Sequence, residues 1–166
     1  MDLAFYNKKS LGRSRESLPQ IEKEDITDIL MHFRKNGVSV KKKVAPIGKL
    51  KPSQKELNQE KIESKLESES NQWKGRTYIC GRDNHIVDGH HDYAQGLEVD
   101  PEQEVRIYKV NLPTKKLIAR LNGMKATGTK DITEGKVIKA QQNLGESTYK
   151  KMATRLHEAK DWIKLG

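Results

Sequence analysis

Apolar residues recur along this chain with two different periods, and the switching between them predicts an α+β domain. After Pro19, the positions Ile21, Ile26, Ile29, Leu30 and Phe33 follow helical spacing up to a stop at Asn36-Gly37. Val38, Val40 and Val44 then surround Lys41, Lys42 and Lys43 in an extended piece ending near Pro46 and Gly48. Its lysines are either a positive patch or the wet side of an edge strand. Leu57, Ile62 and Leu66 mark a thin buried seam in a highly charged helix over 56–70, with Ser53 as N-cap and Glu56 completing a capping box. Arg76–Cys80 and Ile86-Val87, joined across Gly81–Asn84, read as a hairpin. His90 to Leu97 fits a two-turn helix with Ala94 and Leu97 inward and a weak end at Gly96. Val105, Ile107 and Val110 predict another strand, and Leu117, Ile118 and Leu121 a helix stopped by Asn122-Gly123. Tyr149, Met152, Leu156, Ala159 and Ile163 form one apolar stripe at helical spacing, decorated by Lys150, Lys151, Arg155, Lys160 and Lys164.

These elements divide the chain into five parts. A flexible basic arm over 1–18 carries Lys8, Lys9, Arg13 and Arg15; a helical preface and basic extended segment occupies 19–43. The mixed core spans 44–122, a Gly-, Thr- and Lys-rich linker covers 123–135, and a basic C-terminal helical extension covers 136–166. With 166 residues, one core is expected. Only 5% of the residues are aromatic and 33% are charged, so that core rests largely on Ile, Val, Leu and Ala.

Charge adds a partner class. Thirty-two Lys plus Arg against 23 Asp plus Glu leave a formal charge of +9, which points to DNA or another phosphate-rich ligand; a merely well-solvated basic surface is the bland alternative. Cys80 is the single cysteine, which excludes an internal disulfide and a cysteine-rich zinc site, and its apolar neighbours favour a packed thiol over a nucleophile. No apolar run approaches the roughly 20 residues that cross a bilayer, and no apolar leader opens the chain. No membrane role is expected; the expected location is the cytoplasm, a host cytoplasm if the protein is phage-encoded.

The densest chemistry lies in Ile86-Val87-Asp88-Gly89-His90-His91-Asp92-Tyr93-Ala94. Three of the five histidines, counting His85, sit in or beside a glycine turn between a strand and a helix. Histidines exchange protons or ligate metal near neutral pH, and Asp88 with Asp92 is a candidate pair for Mg2+ or another divalent cation.

The order Leu50-Lys51-Pro52-Ser53-Gln54, charged helix, hairpin, Asp88-Gly89-His90-His91 resembles the conserved core of the ParB and sulfiredoxin superfamily, with the phage-associated ParB-like nuclease branch nearest. The resemblance covers about 44–121. It implies a compact mixed-sheet domain, here with N- and C-terminal helical extensions, and a phosphate-binding pocket between Pro52-Ser53-Gln54 and Gly89-His90-His91-Asp92. Ser53, Gln54 and Gly89 are then the cofactor-binding candidates and His90 and His91 the catalytic ones, with Glu56 a further candidate after the acidic residue of the kinase branch. Two positions depart from the pattern. Sulfiredoxins have Gly-Cys-His-Arg where this chain has Gly89-His90-His91-Asp92, so their catalytic cysteine is absent. The kinase and partition branches place a phosphate-clamping arginine where this chain has Asp92. The leading expectation is a nucleic-acid-associated ParB-like protein with metal-assisted phosphodiester cleavage. There Asp88 and Asp92 hold the cation, His91 activates water and Lys41 to Lys43 attract the backbone. Nucleotide-dependent phosphotransfer and non-catalytic binding of DNA, a protein partner or a second copy are the alternatives.

Overall fold

The computed structural model describes residues 3–124, 127–128 and 137–142. Its elements run β1 (Lys9–Ser10), β2 (Gln20–Ile21), α1 (Ile26–Lys35), β3 (Val40–Pro46), β4 (Glu56–Asn58), α2 (Gln59–Glu67), α3 (Gln72–Gly75), β5 (Thr77–Cys80), α4 (His90–Val99), β6 (Glu104–Val110), α5 (Thr114–Asn122), β7 (Thr127–Gly128), β8 (Val137–Lys139) and β9 (Gln141–Gln142). The described residues are thus a mixed α/β fold with five α-helices around a three-stranded mixed sheet, as the α+β expectation has it at that level.

The sheet order is β3-β6-β5, antiparallel between β3 and β6 and parallel between β6 and β5. Side chains of successive strand residues point to opposite faces, so each face acquires its own core. Tyr78, Cys80, Val105 and Ile107 pack one face with Leu3, Phe5, Leu57, Ile62, Trp73 and α4. Ile79 and Val110 pack the other with α1 through Ile29, Leu30 and Phe33, and with α5 through Leu117, Ile118 and Leu121. Lys41, Lys42 and Lys43 lie exposed on β3, which is an edge of this sheet.

Several expectations are revised by long-range contacts. Residues 3–18, read as a flexible arm, are folded onto the core: Leu3, Phe5, Leu11 and Leu18 are buried, and β1 pairs with β9. The arm runs beside the Pro52–Lys55 segment, where Leu11 N donates to Pro52 O, Arg13 N to Ser53 O and Lys55 N to Arg13 O. That pairing runs on into β4 over Glu56–Asn58, so no helical turn follows Ser53 for it to cap. The charged helix instead starts after Asn58, whose side chain accepts from Lys61 N at 3.2 Å, and Glu56 lies in β4. The hairpin reduces to a single bridge between Cys80 and Ile86 plus the bond from Val87 N to Ile79 O. Gly96, read as a weak helix end, is buried inside α4: a Cβ there would lie 2.6 Å from both Ile47 Cδ1 and Trp73 Cε3. Within the supposed C-terminal helical extension, residues 137–142 form β8 on β4 and β9 on β1. The stripe from Tyr149 to Ile163 lies outside the described residues, as does most of the linker.

Candidate functional site

Helix α4 begins at His90, directly after the cap residue Gly89, which has φ +80°. Consecutive helical residues point about 100° apart, so His90 and His91 reach different neighbours. His90 Nε2 accepts from the backbone amides of Ser53 at 2.9 Å and Gln54 at 3.2 Å, and His91 Nε2 accepts from Asn58 N at 3.0 Å. The pair therefore pins the Pro52–Gln54 segment and the start of α2 to α4. An accepting Nε2 places the ring proton on Nδ1. His90 Nδ1 is buried and has no hydrogen-bond partner among the described protein atoms.

Both rings are held neutral. Burial, followed by His91 and Arg76, pushes His90 well below its ordinary pKa. Burial, followed by Arg15, Lys61 and Lys65, brings His91 down to about 3, with Asp92 opposing. To take a proton from water, His91 would have to release the Asn58 amide.

The acidic pair faces cations. Asp92 is bound by Lys65 Nζ at 2.8 Å and by Arg76 Nη1 at 2.9 Å. Burial raises its pKa, but the bonds from Lys65 and Arg76 outweigh burial and hold the carboxyl below its usual value. Asp88 Oδ2 accepts from Ile21 N at 3.1 Å and lies 3.6 Å from Arg76 Nη2, while Oδ1 accepts from Gly89 N at 2.8 Å. Arg76 thus bridges the two carboxylates expected to hold a divalent cation, and among the described residues no group of three or more His, Cys, Asp or Glu side chains is placed to hold a metal ion.

Gly89 admits this guanidinium: a Cβ there would sit 2.4 Å from Arg76 Nε and 2.7 Å from Cζ. Gly89→Ala will therefore displace Arg76 and strain the turn, destabilising the fold by roughly 1–2 kcal/mol for the left-handed backbone alone. Thermal melting beside a phosphate titration checks both effects.

A cleft of about 260 Å3 opens over this arrangement, lined by Arg15, Gln20, Ile21, Glu22, Gln54, Lys65, Arg76 and the Asp88–Asp92 turn. Gln54, Asp88, Gly89, His90, His91 and Asp92 are brought together in this cleft. Ser53 is fully buried behind the cleft, with its amide on His90. Glu56 is not part of the cleft; it pairs with Lys139 at 3.6 Å. Cys80 is buried, and burial pushes its thiol up to about 11, as fits a packed thiol.

Arg15, Lys65 and Arg76 are the cationic cleft residues that motif reading missed, and Gln20, Ile21 and Glu22 line the cleft beside them. Arg15 was visible only as one charge of the basic arm; nothing local marks Lys65 on α2 or Arg76 before β5. Arg15 and Lys65 also lie near Lys61, whose pKa is lowered first by burial and then by these two cations. No helix among the described residues is long and apolar enough to cross a membrane. Comparison of the chain with protein-family models, with curated proteins and with solved structures gives no match.

Proposed function

We propose that the cleft at the start of α4 binds a phosphate group of a nucleic acid or nucleotide, and that the protein is a ParB-like, nucleic-acid-associated binding protein. The observation that carries this reading is the Arg76 guanidinium, seated on Gly89, oriented by Asp88 and Asp92, and sharing one cleft with Arg15 and Lys65. A guanidinium held by carboxylates has little orientational freedom left to lose when it binds an oxyanion. The ordinarily unpaired amides of the first helical turn and the buried His90 Nδ1–H add donors of the same polarity. Arg76 also offers, from a different element, the cation that is missing where this chain has Asp92.

Binding is favoured over cleavage because both histidine acceptors are occupied and both carboxylates face Arg76. Metal-assisted cleavage is the second reading, supported by Asp88 and Asp92 lying on one cleft. A divalent cation held there would replace Arg76 between them.

The test is a fluorescence-anisotropy titration of labelled oligonucleotides across a salt series, with a parallel cleavage assay in Mg2+. Binding that weakens steeply with salt, without strand scission, is the expected result. Absence of binding at low salt sinks the phosphate reading, and scission that disappears in Asp88→Asn replaces it with the second.

A further inference from the structure

A second cavity, about 690 Å3, lies against the first; Ile21, Arg76 and Asp92 line both. It extends from the phosphate cleft across the end of the sheet that α1 and α5 leave uncovered, with Lys23, Ile26, Thr77, Arg106 and Tyr108 on its walls. Strand register explains this surface. Val44, Arg106 and Thr77 form one row across the sheet, and Lys42, Tyr108 and Ile79 the next, all on the same face. Arg106 is exposed, Val44 is 61% exposed, and Lys42 Nζ lies 5.8 Å from the centre of the Tyr108 ring.

We infer that this groove is the path of a single-stranded nucleic acid whose phosphate occupies the Arg76 cleft; the inference rests on the phosphate reading above and names its ligand. Lys23 and Arg106 supply positive charge along the path, whereas the charge of Asp92 on the same wall is neutralised by Lys65 and Arg76. Tyr108 supplies an aromatic wall beside that cationic track, the combination that holds successive phosphates and bases of an unpaired strand without reading their sequence. Lys23 and Arg106 are exposed but Arg76 is half-buried in the shared cleft, so a strand must bend inward and splay its bases to reach it. A duplex keeps its bases stacked inside and its phosphates on a convex surface, and engages this recess poorly. An acidic peptide matches the charge but gains nothing from the aromatic wall.

The experiment compares labelled 12-nucleotide oligo(dT) and oligo(U) with a duplex of equal length by anisotropy, and tripolyphosphate by calorimetry. Tyr108→Leu and Arg106→Gln are each expected to weaken strand binding roughly five- to tenfold while leaving tripolyphosphate binding unchanged. Arg106 is exposed, so its variant keeps the test open should Tyr108→Leu disturb the core; circular dichroism monitors folding. Strand binding at wild-type strength in both variants, or duplex binding as tight as the single strand, overturns the groove. So does displacement of the strand by polyglutamate at equal charge. Loss of binding in Arg76→Gln with those variants unaffected leaves the phosphate reading standing and removes only the groove; wild-type binding in Arg76→Gln removes both.

Discussion

Replacing Arg76 with Gln will weaken binding of phosphate-bearing ligands by roughly ten- to a hundredfold, since a hydrogen bond to a charged group contributes about 1.5–3 kcal/mol. The slope of log affinity against log salt will become shallower by about one, because one phosphate-neutralising cation is gone. Arg76→Lys will rescue only part of the affinity. Its ammonium preserves the charge, but a point charge cannot span Asp88 and Asp92 or offer the forked donors that fit an oxyanion. Glutamine also leaves the acidic pair less compensated: Asp92 keeps Lys65, while Asp88 keeps its bonds from the Ile21 and Gly89 amides. The ordering wild type, Lys, Gln, measured by calorimetry at two salt concentrations, checks the argument. Equal affinities for Lys and wild type would reduce Arg76 to a mere source of charge.

The second large effect concerns stability. His90→Ala will destabilise the protein by roughly 2–5 kcal/mol, because the Ser53 and Gln54 amides lose a shared acceptor in a buried place and an unsatisfied donor costs about 1–3 kcal/mol. The same contacts predict the pH dependence. In the unfolded chain a histidine takes up its proton near pH 6.5. In the folded protein His91 does so only near pH 3, and His90, deeply buried, is likewise pushed well down. Between those values the unfolded state binds more protons, so stability is complete above about pH 6.5 and falls as the pH drops toward 3. Each histidine kept neutral contributes a slope approaching 1.4 kcal/mol per pH unit. Asp92 acts in the same direction at lower pH, since its folded pKa lies below its ordinary 3.8. Melting temperatures at pH 7, 6 and 5 will fall in wild type and fall less in His91→Asn. A flat profile would show that the folded rings titrate near their ordinary value, and so that Nε2 of neither ring is held by those amides.

Much of the fold was legible along the chain because it rests on local rules. The spacing of Ile26, Ile29, Leu30 and Phe33, with Asn36-Gly37 after them, marks the body and end of α1, although the helix expected to open at Pro19 starts only at Ile26 and Ile21 lies in β2; the alternation of Val105, Ile107 and Val110 marks β6. Where those readings failed, a distant partner had changed the local preference. Ser53 has the residues of a capping box around it, but its segment pairs with the arm and is tethered to His90, β4 follows it, and the helix starts only after Asn58. Gly96 reads as a helix breaker, yet its missing side chain makes room for Trp73 and Ile47.

The candidate site divides in the same way. Asp88-Gly89-His90-His91-Asp92 announces itself as a sequence motif because glycine, histidine and aspartate are costly to place together without a use. What each side chain does there depends on groups that are far off along the chain: the Ser53, Gln54 and Asn58 amides that occupy the histidines, and Lys65 and Arg76 that neutralise the acids. Charge and hydrogen bonding act over a few ångströms of space regardless of sequence separation. The chain's pattern therefore determined where the body of α1, α4, α5, the strands β3 and β6 and the polar turn fall. Tertiary packing alone decided that the turn presents a guanidinium held by two carboxylates rather than two carboxylates open to a cation.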